Sequence, residues 1–150
     1  MNAPLTRRTL LAGGLVGLTG VALSACSGDP GGSTEPTVDE AAAGEVTVGP
    51  DGVQEITVLV ADDYVFVPDS FAVAPGQVRL TLTSIADQLT HNLVFTPGMG
   101  PVDIAEGVPI LAPGRSETFD FTVDQPGDYQ YECSFHIIQG QIGTMTVTPS

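Results

Sequence analysis

The segment from Val78 to Thr83 reads Val-Arg-Leu-Thr-Leu-Thr, apolar and polar in strict alternation. Successive side chains of a β-strand point to opposite faces, so a period of two makes a strand with one buried and one solvated face. A helix would scatter the same residues around its whole surface. Ile56, Val58 and Val60, separated by Thr57 and Leu59, again give one strongly apolar face. Shorter segments of the same kind run from Val46 to Val48, Tyr64 to Val67, Phe71 to Val73, His91 to Phe95, Phe119 to Val123, Tyr129 to Cys133 and Thr144 to Thr148. Turn residues separate many of them, as in Gly49-Pro50-Asp51-Gly52, Pro68-Asp69, Pro75-Gly76 and Gln125-Pro126-Gly127. No window carries a 3.6-residue period, and the 18 glycines and 12 prolines leave little room for long helices. Pro97 to Gly114 is expected to be an irregular loop with room for one short helix. Seven or eight strands within about 105 residues predict an all-β fold, a Greek-key β-sandwich of two sheets.

The beginning of the chain follows another logic. Arg7 and Arg8 precede an apolar run from Leu10 to Leu23, too short to span a bilayer comfortably and typical of an export signal. Thr6-Arg7-Arg8-Thr9-Leu10-Leu11 resembles a twin-arginine signal. Leu23-Ser24-Ala25-Cys26 resembles the lipobox of bacterial lipoproteins, whose cysteine becomes the lipid-bearing first residue of the mature chain. Between Ser27 and Gly44 only Val38 is a large apolar residue, too little to offset the entropy of ordering. A flexible tether with an end-to-end span on the order of 25 Å is expected there. The expected organisation is a signal over 1–25, a lipidated Cys26 with its tether over 26–44, and a folded domain over 45–150. The lipid would hold that domain at the extracytoplasmic face of the cell membrane.

Charge narrows the partners. The chain has 18 Asp and Glu against 4 arginines and no lysine, a net charge of −14. Beyond Cys26 only Arg79 and Arg115 face all 18 acids, which leaves −16. Such a surface excludes nucleic acid, repels anionic lipid and attracts a partner with a basic face. A monomer is expected.

The domain has one thiol, Cys133, and two imidazoles, His91 and His136. An unpaired thiol in an oxidising compartment points to metal ligation or redox chemistry. On a straight strand, positions three apart face opposite sides, so Cys133 and His136 can meet one atom only if the chain turns between them. Gly140 and Gly143 let the chain loop back, which brings Cys133, His136 and a residue near Gln141 around one point. His91 arrives from a strand distant in sequence. A thiolate with two imidazoles is a trigonal set that suits copper, with a weak axial group above it. The same ligands also suit zinc. Taken singly, each residue has a plainer reading: Cys133 as a small buried residue, His91 as a hydrogen-bonded core histidine, His136 as a loop histidine. That all three fit one site is what favours a metal. Tyr131, two residues before Cys133, looks like the tyrosine corner of immunoglobulin domains, but this domain lacks the second cysteine and the buried tryptophan of that family.

Several motifs together resemble the cupredoxins. Phe66-Val67-Pro68-Asp69-Ser70-Phe71-Ala72-Val73-Ala74-Pro75-Gly76 is similar to their F-x-P-x-x-hydrophobic-x-V-x-x-G run, and His91-Asn92-Leu93-Val94-Phe95 to their first-ligand strand. Leu111-Ala112-Pro113-Gly114-Arg115-Ser116 and Pro126-Gly127-Asp128-Tyr129-Gln130-Tyr131-Glu132-Cys133 resemble the approach to the ligand loop. The resemblance runs from about residue 55 to residue 148 in the family's order. It implies a small blue-copper protein with one ion, cycling between Cu(I) and Cu(II) and shuttling single electrons between redox partners. His91, Cys133 and His136 then fall on the equatorial ligand positions. Asn92 falls where the family often holds the thiolate loop by a hydrogen bond. One departure matters. The family usually ends the loop His-x-x-x-Gly-Met-x-Gly, and here Gln141 stands at the methionine position. Stellacyanin-like members use glutamine there. An amide oxygen is harder than a thioether and favours Cu(II), lowering the reduction potential. The alternatives are no close axial ligand, or Met145 or Met99, although Met145 lies between Thr144 and Thr146 in the last strand and suits the core.

Catalytic readings fit poorly, and no enzyme is expected. A binuclear copper centre needs two cysteines in the loop, and multicopper enzymes need further copper sites. A hydrolase using Cys133 and His91 lacks a Gly-rich oxyanion arrangement. The rival to the shuttle is a carrier that stores, buffers or delivers copper. Phe135, Ile137 and Ile138 flank His136 in a turn too short to bury them all, and an apolar cluster beside a ligand marks a docking face. The alternative is that the isoleucines form a small core beneath the loop.

Overall fold

A computed structural model of the protein describes residues 43–150; the expected export signal, Cys26 and the tether as far as residue 42 lie outside the described residues. The period-two segments become strands: β1 (Thr47–Val48), β2 (Gln54–Val60), β3 (Phe66–Val67), β4 (Ser70–Val73), β5 (Gly76–Ser84) and β6 (His91–Phe95). They are followed by β7 (Gly107–Leu111), β8 (Ser116–Val123), β9 (Gly127–Glu132) and β10 (Ile142–Val147). One sheet runs β1-β2-β5-β8 with β3 added beside β2, and the other runs β4-β10-β9-β6-β7.

β5 is the spine of the first sheet. It pairs in parallel with β2, Leu80 opposite Ile56 and Leu82 opposite Val58, and antiparallel with β8, Val78 opposite Phe121. Val78, Leu80 and Leu82 are fully buried, while Arg79 and Thr81 face outward. On that outer face Arg79 donates to Asp120 at 2.9 Å and Glu55 at 3.1 Å, its partners on the flanking strands. The second sheet turns Leu93, Phe95, Tyr129, Tyr131, Met145 and Val147 inward. The sheets meet through aromatic contacts: Phe95 lies edge-on to Phe121 at 5.3 Å, and Tyr131 to Phe66 at 5.1 Å. Tyr131 does not make the corner bond of an immunoglobulin domain, because its hydroxyl donates to the Pro68 carbonyl. It is Tyr129 whose hydroxyl bonds back to a carbonyl upstream, that of Gln125 at 2.9 Å.

The sandwich has ten strands, more than the seven or eight expected. The main addition is β7, inside the stretch expected to be an irregular loop. It pairs with β6 across a bulge between His91 and Leu93. Its sequence Gly-Val-Pro-Ile-Leu has no alternation, and Pro109 is tolerated because β7 is the edge of its sheet. The strand expected from Tyr64 shrinks to β3, since the Asp63 carboxylate accepts the Val65 N–H at 3.2 Å and turns the chain first. β2 and β5 end, and β6 and β10 begin, at the same end of the sandwich as the close of β9. The chemistry gathers there.

Candidate metal centre

His91 opens β6 and is completely buried. Its Nε2 lies 2.8 Å from the carbonyl oxygen of Ala61, which can only accept. The ring proton therefore sits on Nε2, and the lone pair of the neutral imidazole is on Nδ1. That Nδ1 faces Oε1 of Gln141 at 3.0 Å.

The other donors come from the connection between β9 and β10. Cys133 follows the last residue of β9, and the chain turns at once, His136 N–H donating to the Cys133 carbonyl at 3.0 Å. A single 3-10 turn, Ile137–Gln139, leads to Gly140 at φ +88°, a left-handed conformation that a side chain resists. Two further bonds close the loop: Gln141 N–H to the His136 carbonyl at 3.2 Å, and Cys133 N–H to the Gln141 carbonyl at 3.0 Å. The turn brings Cys133 Sγ to 3.4 Å from His136 Nδ1, which lies 3.1 Å from Gln141 Oε1. Gly143 serves space rather than turning, because a Cβ there would collide with the ring of Tyr131. Asn92 ties strand to loop, accepting the Ser134 N–H at 2.8 Å and donating to the Ser134 hydroxyl at 2.8 Å.

The sulfur and one ring nitrogen from each of His91 and His136 lie within 4.8 Å of one another. With the His91 proton held on Nε2, Nδ1 and Gln141 Oε1 are both acceptors, and two acceptors 3.0 Å apart repel unless a cation lies against them. Cys133 is unpaired and fully buried, its thiol turned toward the same point. A soft sulfur, two imidazole nitrogens and one amide oxygen are the donor set that copper accepts. Met145 is buried in the core opposite Tyr129, and Met99 lies exposed in a turn whose carbonyl accepts from Gln130. Gln141 is the residue facing both imidazoles. The loop isoleucines form no core: Ile138 is 93% exposed and Ile137 40%, with Phe135 at 49%.

A sequence model of the copper binding proteins of the plastocyanin/azurin family matches residues 54–148, well over half of the chain. The chain belongs to that family. This cupredoxin is 32% identical over 91 residues to the plastocyanin of Nostoc punctiforme, a match covering 55% of the chain and 63% of that relative, so it spans a little under two thirds of it. It is 35% identical over 94 residues to plastocyanin A/B of Petroselinum crispum, covering 59% of the chain and 95% of that protein. Among solved structures, reduced auracyanin from Roseiflexus castenholzii superposes with a TM-score of 0.56 at 26% identity, covering 63% of this chain and 97% of that one. Copper is thus the cofactor, and His91, Cys133 and His136 are a group suited to a single ion.

The structure also adds residues that the sequence did not single out. In this cupredoxin Ala61 orients His91, and the Val65 carbonyl accepts from Gln141 Nε2 at 3.4 Å, turning Oε1 toward the imidazoles. The Tyr64 ring lies 5.1 Å from that of His136. Ala61 and Val65 act through main-chain carbonyls, which leave no mark on a sequence. Asp62, beside Ala61, accepts three backbone N–H bonds from Leu89, Asp87 and Gln88, which hold its carboxyl below the usual carboxylate range.

Proposed function

We propose that the protein is an exported, lipid-anchored mononuclear blue-copper protein that carries single electrons between extracytoplasmic redox partners. The observation that carries this reading is the convergence of one buried thiol, two imidazole Nδ1 atoms and the Gln141 amide oxygen, each aimed by a bond of its own side chain or its own turn. His91, Cys133 and His136 would hold the copper, with Gln141 Oε1 as a fourth, weaker donor. Copper, when bound, takes up and returns one electron between Cu(II) and Cu(I). Ligands held by Ala61, Val65 and Asn92 keep one arrangement through both states, because those bonds belong to the protein and not to the ion. The amide oxygen of Gln141 favours Cu(II) over Cu(I) and sets a lower reduction potential than a thioether would.

The half-buried His136 is the ligand nearest solvent, with Phe135, Ile137 and Ile138 exposed beside it. A partner seats on this apolar patch and exchanges the electron through the His136 ring, while the acidic surface steers a basic face into place. The family's members are electron carriers rather than enzymes. Cys26 is the lipid anchor, the residues before it the export signal, and the stretch up to Gly44 the tether.

The shuttle and the copper carrier part in one experiment on the copper-loaded protein. Rapid electron self-exchange with copper retained against a Cu(I) chelator is the expected result. Slow exchange with ready transfer of copper to the chelator would replace the shuttle with the carrier.

A further inference from the structure

The two carbonyls that orient His91 and Gln141 both belong to the connection between β2 and β3. Ala61 lies at its start, 2.8 Å from His91 Nε2, and Val65 at its end, 3.4 Å from Gln141 Nε2. Between them Tyr64 packs its ring against His136 at 5.1 Å. This one connection therefore touches three of the four proposed ligands, yet none of its residues is in a strand.

What fixes it is Asp62. One carboxylate oxygen accepts the N–H of Gln88 at 3.0 Å and of Leu89 at 2.8 Å, and the other accepts the N–H of Asp87 at 2.8 Å. These amides lie in the connection between β5 and β6, immediately before His91. A single carboxylate thus joins the segment that supplies the orienting carbonyls to the segment that delivers the first ligand. Hydrogen bonds to an ionised acceptor are roughly twice as strong as neutral ones, and here three share one acceptor group.

We propose that Asp62 is a positioning residue of the copper site, clamping the Ala61–Val65 connection to the 87–89 backbone so that His91 and Gln141 keep a fixed separation. The proposal rests on the ligand assignment above. Asp62 touches no ligand. It acts through Ala61 on one side and through the backbone entering His91 on the other.

The test compares Asp62→Ala and Asp62→Asn with Asp87→Asn in the full-length protein. The Asp87 side chain is exposed and accepts none of these bonds, so Asp87→Asn removes a neighbouring charge and leaves the clamp intact. In metal-free protein, Asp62→Ala should speed exchange of the Gln88 and Leu89 amides and of the His91 Nε2–H proton by tenfold or more. Loaded with Cu(II), it should change the copper hyperfine splitting and the ratio of the thiolate absorption bands. It should also release copper to a chelator faster, by up to about tenfold, the lower end of the effect of removing a ligand's own hydrogen-bond partner, because Asp62 acts one contact further out. Asp62→Asn keeps one accepting oxygen and should fall between, which preserves the test if the alanine variant does not fold. Asp87→Asn should match the unaltered protein. A folded Asp62 variant with unchanged His91 proton, spectrum and release overturns the clamp. So does an equal change in Asp87→Asn, which would make charge the cause. If the unaltered protein shows no thiolate-to-copper band, the ligand assignment fails, and the His91 proton in metal-free protein still decides the clamp.

Discussion

His91 and His136 reach the same point from opposite kinds of structure. His91 is wholly buried at the start of β6, a strand hydrogen-bonded on both sides, and its ring is held by a carbonyl from the other sheet's side of the molecule. His136 is half-buried in a loop whose bonds run mostly within itself, from Cys133 to Gln141 and back to His136. The strand half gives a fixed reference. The loop half supplies the thiol, the Gln141 amide and the less buried of the two imidazoles. Besides the contacts made by the ligands themselves, two joints seat the loop: the close approach of Gly143 to Tyr131 at its base and the Asn92–Ser134 pair that ties it to β6.

The largest effect should come from breaking the first joint. A methyl at residue 143 would overlap the ring of Tyr131, which is fully buried and has its hydroxyl bonded to Pro68, so it has nowhere to go. Gly143→Ala should therefore cost about 1–3 kcal/mol or more, as overpacked cores do. A thermal melt should fall by several degrees and copper retention should fall with it. An unchanged melt would mean that the loop is not pinned by the core.

The second joint is smaller. Asn92→Ala removes two part-buried hydrogen bonds to Ser134, at a net cost of about 0.5–1.5 kcal/mol each. Denaturant unfolding should show the loss, and the visible spectrum should broaden as the thiol loses its fixed place. An Asn92→Ala protein of full stability and unaltered spectrum would make the seam incidental.

The smallest effect on the fold should come from the loop's outer edge. Replacing Ile137 and Ile138 by serine removes exposed side chains and should change stability by no more than about 0.5 kcal/mol each. The copper spectrum should stay the same while electron transfer to a basic partner slows. Transfer at the original rate would remove the docking role from this patch.

How far the sequence announced this arrangement depends on which atoms do the work. Side chains that alternate in and out, such as Val78, Leu80 and Leu82, declare their strand and its buried face directly. The donors declare themselves by scarcity, since the domain has one thiol and two imidazoles, and the structure brings all three together. Gln141 was marked by standing at an expected methionine, and its side chain does face both histidines. Strand β7 was missed because Pro109 and the exposed Ile110 break any alternation, so that the strand shows only in its main-chain pairing with β6 and in the burial of Val108 and Leu111. Ala61, Val65 and Asp62 were missed for the same reason: the first two act through their carbonyls, and Asp62 binds amides of residues whose identity is immaterial. Tyr131 was noticed, but the corner bond belongs to Tyr129, and Tyr131 instead spans the core to Pro68 and fixes the glycine at residue 143.

The most direct test of a copper site built on Cys133 is the visible and EPR spectrum of the Cu(II)-loaded protein, recorded beside that of Cys133→Ser. The account predicts an intense thiolate-to-copper charge-transfer band with the small copper hyperfine splitting of a thiolate site, and a folded Cys133→Ser protein in which both are gone. A Cys133→Ser protein that kept the band, or an unaltered protein that bound Cu(II) without it, would contradict the account.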